Sequence, residues 1–184
     1  MSRASRLLII GVLVLIVGYA IYSRRYQIES KVWHWKHGYS AAVGDYVVPV
    51  PDRWLIYSEG PDHQDLTMFD TQVKRQPGPL LVPNMITVMS LSAPLRSLDS
   101  WEIIKRKQLE QDGLSNIEER TLFTANEKLV CLGGYQLREV LKIPGATHLT
   151  LECQSTGRLS LIYMGYRSGL DDFYSIASQI RKLN

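Results

Sequence analysis

The side chains best able to do chemistry fall in three places. Glu59, Asp62, His63 and Asp65 crowd one short stretch, EGPDHQD, with Asp70 just beyond it. A histidine among carboxylates is a minimal set for general acid–base work or for holding a divalent ion. Asp62, His63 and Asp65 are therefore the residues a small hydrolase or metal-dependent enzyme would use here. The stretch lacks the spacing and sixth-position glycine of an EF-hand loop, and a hydrated loop explains the same residues. His34 and His37 are three apart, with no ligand set of metal spacing completed beside them. A nucleophile elbow, a dinucleotide or phosphate loop, H-E-x-x-H and C-x-x-C are all absent. No catalytic residue, metal site or cofactor is expected, and the protein reads as a non-enzyme.

The third place is Cys131 and Cys153, the only two cysteines. Just one intramolecular pairing exists. Both fall in β-rich runs flanking Pro144-Gly145. A hairpin register that sets Leu137 beside Leu151 puts Cys153 opposite Tyr135. Cys131 is then roughly 13 Å away along a straight strand, beyond disulfide reach. A bend at Gly133-Gly134 would have to close that gap. The alternatives are a disulfide and two buried thiols acting as small hydrophobes. The disulfide would need an oxidising compartment.

The elements that must position these groups begin with LLIIGVLVLIVGYAIY, Leu7 to Tyr22, which carries no charge and no proline. With Ala4, Ser5 and Ser23 it approaches the length of a membrane span. Arg6, Arg24 and Arg25 can snorkel at its ends, while Tyr19 and Tyr22 suit the interface. Ala20-Ile21-Tyr22 offers no pair of small residues for cleavage, and Arg24-Arg25 follow at once, so an uncleaved single-pass anchor is expected. Residues 1–25 hold four arginines and no acid, leaving 17 basic and 18 acidic residues elsewhere. The net charge of +3 therefore belongs to the anchor region, and no nucleic-acid footprint exists on the remainder. By count of cations the C-terminal side favours the cytoplasm. The cysteines favour the opposite side, and the extracytoplasmic placement in a cell (inner) membrane is the one expected.

The division is a basic tail 1–6, an anchor 7–23, a juxtamembrane connector 24–45 and an α+β domain 46–184. The connector holds Tyr26, Trp33, Trp35 and Tyr39 among basic residues. It can lie at headgroup level, or form a strand or short helix packed on the domain. Strands are expected at Tyr46–Pro51, Trp54–Tyr57, Leu66–Phe69 and Met85–Leu91. Between the last two, residues 73–84 carry Pro77, Gly78, Pro79 and Pro83. Leu80, Leu81 and Val82 on this stiffened loop either fold back on the core or contact a protein partner. A helix follows, capped by Asp99 with Glu102 and ended by Gly113; its stripe is Leu98, Trp101, Ile104 and Leu109. Strands at Ile117–Thr124, Lys128–Leu132, Tyr135–Ile143, His148–Gln154 and Leu159–Tyr166 come next. The last helix opens at Asp171 or Asp172 and presents Phe173, Ile176, Ala177, Ile180 and Leu183 on one face. Arg181 and Lys182 would complement its dipole. The fold class is α+β: an antiparallel sheet with two amphipathic helices on it, preceded by one transmembrane helix.

This order of elements resembles the PsbP-like fold of small extracytoplasmic domains. The matching stretches are YVVPVPDRW from Tyr46, the helix at Ser97–Asp112, the meander Tyr135–Tyr166 and DFYSIASQI from Asp172. The resemblance implies a membrane-anchored bacterial protein with no catalytic residues to carry over. The implied role is to bind, assemble or stabilise an envelope complex through a protein partner.

Overall fold

The computed structural model describes residues 3–71, 84–137 and 147–183. Two helices open the chain, α1 (Arg3–Ser23) and α2 (Arg25–His37). Strands β1 (Ser40–Val43) and β2 (Tyr46–Pro49) follow, joined through Gly44 at φ +52°. Next come β3 (Trp54–Glu59), β4 (Asp65–Asp70) and β5 (Met85–Ser90). Helix α3 (Leu98–Gln111) leads into β6 (Ser115–Phe123), β7 (Lys128–Leu137), β8 (Thr147–Ser155) and β9 (Leu159–Gly165). Helix α4 (Leu170–Gln179) and the two-residue β10 (Arg181–Lys182) complete the order. The fold is α+β, with four α-helices and two antiparallel sheets among the described residues.

The larger sheet has the order β3-β4-β5-β9-β8-β7-β6, and the smaller runs β1-β2-β10. Alternation along β4 and β5 sends Leu66, Met68, Ile86 and Val88 to one face. There they meet Val43, Tyr46 and Val48 of the small sheet and Phe173, Ile176 and Ala177 of α4. Trp54 lies wholly inside this core. Val130 and Leu132 point to the opposite face from Leu129 and Cys131, and α3 crosses β6 and β7 with Leu109 buried.

Several local expectations are corrected. Ser97, not Asp99, caps α3: its Oγ accepts the Ser100 N–H at 3.2 Å. The stripe on α3 is also turned. Ile104 is 69% exposed, while Lys105 is tucked inward and pairs with Glu152 at 2.5 Å. The runs 128–132 and 135–143 are not separate strands, since β7 passes straight through Gly133-Gly134. A Cβ on Gly133 would come within 2.6 Å of Thr150 O, and one on Gly134 within 2.8 Å of Ser115 O. The pair lets two neighbouring strands approach, beside a register shift in β6 between Ser115 and Glu118.

Helix α4 starts at Leu170 without a side-chain cap, and Asp172 instead pairs with Arg53. It ends at Gln179, so Arg181 and Lys182 form β10 and pair with Val47 and Tyr46 instead of serving the helix dipole. Leu183 is 51% exposed rather than part of the buried face. The expected domain start at Tyr46 also moves. Strand β1 lies inside the stretch read as connector, and α2 packs on the edge strand β3.

Small polar clusters fasten the layers. Tyr163 Oη donates to Tyr166 O at 2.5 Å and lies 3.2 Å from Asn84 Oδ1, which also accepts Tyr166 N–H. Burial, with Asp70 nearby, pushes the Tyr163 phenol well above its usual range. Glu127 Oε1 accepts from Tyr46 Oη at 2.9 Å and from Lys182 Nζ at 2.8 Å, tying β2, β10 and the β6–β7 turn. Burial opposes charge on Glu127, but hydrogen bonds from Lys182, Ser155 and Tyr46 together outweigh it and hold its carboxyl below the ordinary value. Burial, then the Glu127 hydrogen bond, pushes the Tyr46 phenol up to about 12.

Candidate functional site

The acidic loop joins β3 to β4 through a single 3-10 turn, Pro61–His63. Asp62 and His63 both take left-handed backbone, at φ 56° and 52°. His63 Nδ1 lies 3.3 Å from Glu59 Oε2, and both side chains are largely in solvent. The Asp65 carboxylate folds over Gly60, where even a Cβ would collide with it. The loop is thus organised by its own backbone: Gly60 N–H bonds Asp65 O at 3.0 Å, and His63 O accepts from Gly44 N–H at 2.7 Å. Asp70 sits at the far end of β4, buried, with Arg53 Nε 3.7 Å away. Among the described residues no group of three or more histidine, cysteine or acidic side chains is placed to hold a metal ion.

His34 is a buried structural residue. Its Nδ1 lies 2.9 Å from Gly38 O and its Nε2 3.1 Å from Pro51 O, and its ring stacks on Tyr39 at 4.9 Å. Ser30, one turn earlier, places Oγ 2.5 Å from Asp52 O and 3.0 Å from Trp54 O. These two polar side chains bind α2 to the loop before β3 and to the sheet edge. That edge would otherwise expose unpaired backbone groups.

Cys131 and Cys153 lie directly opposite each other on β7 and β8, both wholly buried, and are joined as a disulfide with Cα atoms 3.9 Å apart. The register differs from the one assumed from the sequence. Leu137 pairs with Thr147, not Leu151, so no bend at the glycines is needed. The hairpin turn around Pro144-Gly145 lies outside the described residues, as do Leu80, Leu81 and Val82. The described apolar surface of the body includes Ile103 and Ile104 on the outer side of α3, at 71% and 69% exposure.

The largest departure from a water-facing protein is the opening helix pair. On α1 the large apolar side chains from Ile9 to Tyr22 are 45–74% exposed on every side of the helix. At Arg24 the chain turns by 61° into α2. Among the described residues no single helix is long and apolar enough to cross a membrane, whereas this bent pair together passes that test. The Arg25 guanidinium stacks over Tyr22 and Tyr26, 4.7 and 4.5 Å from the ring centres. The inside of the bend is a crook lined by Val17, Ala20, Ile21, Arg24 and Ile28. Further along α2 a polar cleft of about 560 Å³ opens between Lys31, Trp35 and Tyr39 on one side and Asp52, Arg53 and Thr71 on the other. Its cations are not free to recruit an anion as a set, since Arg53 already meets Asp70 and Asp172.

No family model and no curated relative matches the chain. A solved structure of a Mog1 mutant aligns at 11% identity and a TM-score of 0.46, covering 79% of this chain and 95% of that one. The resemblance to the PsbP-like fold is overturned: a solved neighbour is Mog1, and no family model matches.

Proposed function

We propose that the chain is a single-pass, membrane-tethered domain that binds or stabilises a protein partner in an envelope complex and catalyses no reaction. The observation that carries this reading is the all-round apolar surface of α1. Nine aliphatic side chains between Ile9 and Ile21 stand in solvent. Moving them into hydrocarbon is worth on the order of 15–25 kcal/mol. An isolated helix of this kind has no reason to remain in water. The apolar run Leu7 to Tyr22 reaches about 24 Å, and the whole of α1, with Arg3 and Arg6 at its start, about 31 Å, against a bilayer core of about 30 Å.

The disulfide supports an extracytoplasmic body, because such bonds persist in oxidising compartments. The cations that by count favour the cytoplasmic side sit at the bend and on α2. The exposed Ile103 and Ile104, together with Leu80, Leu81 and Val82, are the candidate partner contacts. A hydrolase at Asp62, His63 and Asp65 has one observation in its favour, the left-handed backbone at two successive residues, a conformation that gathers at functional sites.

Replacing Leu13 and Ile16 with aspartate tests the tether. Each charge at a helix centre costs about 2.5–3.5 kcal/mol of insertion. The variant is expected to leave the membrane pellet with its body still folded. An unchanged distribution would rule the tether out.

A further inference from the structure

We infer that α2 is not a spacer but an interfacial helix that lies along the bilayer and docks on anionic phospholipid, holding the body at a fixed attitude. This inference rests on the tether reading. Its grounds are geometric. Arg24, Ile28, Lys31 and Trp35 recur at i, i+4, i+7 and i+11, which places them on one stripe of a 3.6-residue helix. Arg24 and Ile28 line the inside of the bend together with Val17, Ala20 and Ile21 of α1. The stripe therefore faces the same side as the inner surface of the bend. With α1 in the bilayer, that side is the membrane.

A neighbouring side of α2 belongs to the body. Ser30 and His34 are buried there, and Tyr26 packs edge-on against Phe69 at 5.4 Å. Lys31 and Trp35 also rim the cleft toward Asp52 and Arg53, so the stripe runs along the flank of α2, between the body and the inside of the bend. With α1 along the membrane normal, α2 leaves the surface at about 29°, the complement of the 61° bend. Its 13 residues span about 20 Å, so its far end rises about 10 Å. The headgroup layer is roughly 5–8 Å deep on each side. The ordinary tilt of a membrane helix, about 20°, is enough to bring α2 nearly flat.

The chemistry of the stripe matches that placement. Trp35 is 84% exposed, the most exposed large apolar side chain in the described structure, and Ile28 and Val32 are 45% and 46% exposed beside it. Tryptophan favours the headgroup level. Arg24 and Lys31 form no ion pair among the described residues, and the one acid of α2, Glu29, falls more than a quarter turn away from the stripe. An apolar strip flanked by unpaired cations is complementary to an anionic lipid surface.

The full chain in vesicles tests this. Acyl-brominated phosphatidylcholine vesicles, with and without phosphatidylglycerol, serve as the quencher of tryptophan fluorescence, and Trp35→Phe supplies the reference. The expected result is strong quenching in the wild type that is largely lost in Trp35→Phe. It should also deepen with phosphatidylglycerol. Arg24→Gln/Lys31→Gln should still float with the vesicles after a high-salt wash. Its docked-to-undocked ratio on phosphatidylglycerol should fall on the order of tenfold, since each cation near an anionic surface contributes. A wild type that floats but whose Trp35 is unquenched overturns the interfacial helix and leaves the tether standing. A wild type that does not float overturns both.

Discussion

Removing the covalent link between β7 and β8 has a magnitude that follows from the loop it closes. Cys131 and Cys153 are 22 positions apart, so the bond closes a loop of 23 residues. The chain-entropy relation gives a loss of about 11.4 cal/mol/K from the unfolded ensemble, or about 3.4 kcal/mol at 25 °C. For a chain of this size that corresponds to about 7–14 °C in Tm. The protein refolded with reductant keeps both sulfurs, so its comparison with the oxidised form isolates the crosslink. Cys131→Ala/Cys153→Ala additionally removes two wholly buried sulfur atoms and should fall somewhat lower. The assay is denaturant unfolding of the detergent-solubilised chain, followed by the fluorescence of buried Trp54. Because both cysteines are inaccessible, reductant added to the folded protein should act slowly, only through opening. Oxidised and reduced midpoints agreeing within about 1 kcal/mol would refute the argument. So would two labelled thiols in acid-quenched, unfolded protein from native membranes that never met reductant, and that result would return the body to the cytoplasmic side.

Glu127→Gln is expected to cost about 1–2 kcal/mol at neutral pH, discounted because Lys182 is half exposed. The Glu127 carboxyl is held below its ordinary value in the folded state, so its contribution is present above the unfolded pKa and lost as pH falls through the folded one; the gap between wild type and variant should narrow as pH falls below the ordinary carboxylate range in acid titrations of stability. Gly113→Ala, with open space but φ +78° against it, should cost about 1–2 kcal/mol, and Gly133→Ala, whose Cβ would meet Thr150 O, about 2–3 kcal/mol; a Gly133→Ala loss below that of Gly113→Ala would discredit the packing role of Gly133. Ile103→Ser/Ile104→Ser should leave Tm nearly unchanged while weakening partner recovery, and a large loss of stability would make these residues structural instead.

Where hydrophobic alternation or periodicity dominates, the elements could be read from the chain. Strands β4 and β5 alternate cleanly between buried and half-buried positions, and Phe173, Ile176 and Ala177 do line the buried side of α4, with Ile180 buried just past its end. Where polar groups hold an element in place, periodicity points the wrong way. Helix α2 turns Ser30 and His34 inward because backbone carbonyls receive them, and leaves Trp35 outside. Helix α3 turns Lys105 inward because Glu152 lies beneath it. The cysteine pairing was legible as a possibility, but the register was not, because a slip of four residues keeps the same face and leaves the alternation unchanged. The bend at Arg24 has no proline or glycine to announce it. The crook it forms, and with it the orientation of the α2 stripe, emerges only from the folded chain.

The claim on which the rest depends is that α1 stays attached and holds the chain in the membrane. The decisive measurement is intact mass with N-terminal sequencing of the protein in carbonate-washed membranes and in the soluble fraction. A membrane-bound chain that retains Leu7 to Tyr22 is expected. A soluble mature chain beginning between Ser23 and Ala42 would contradict it.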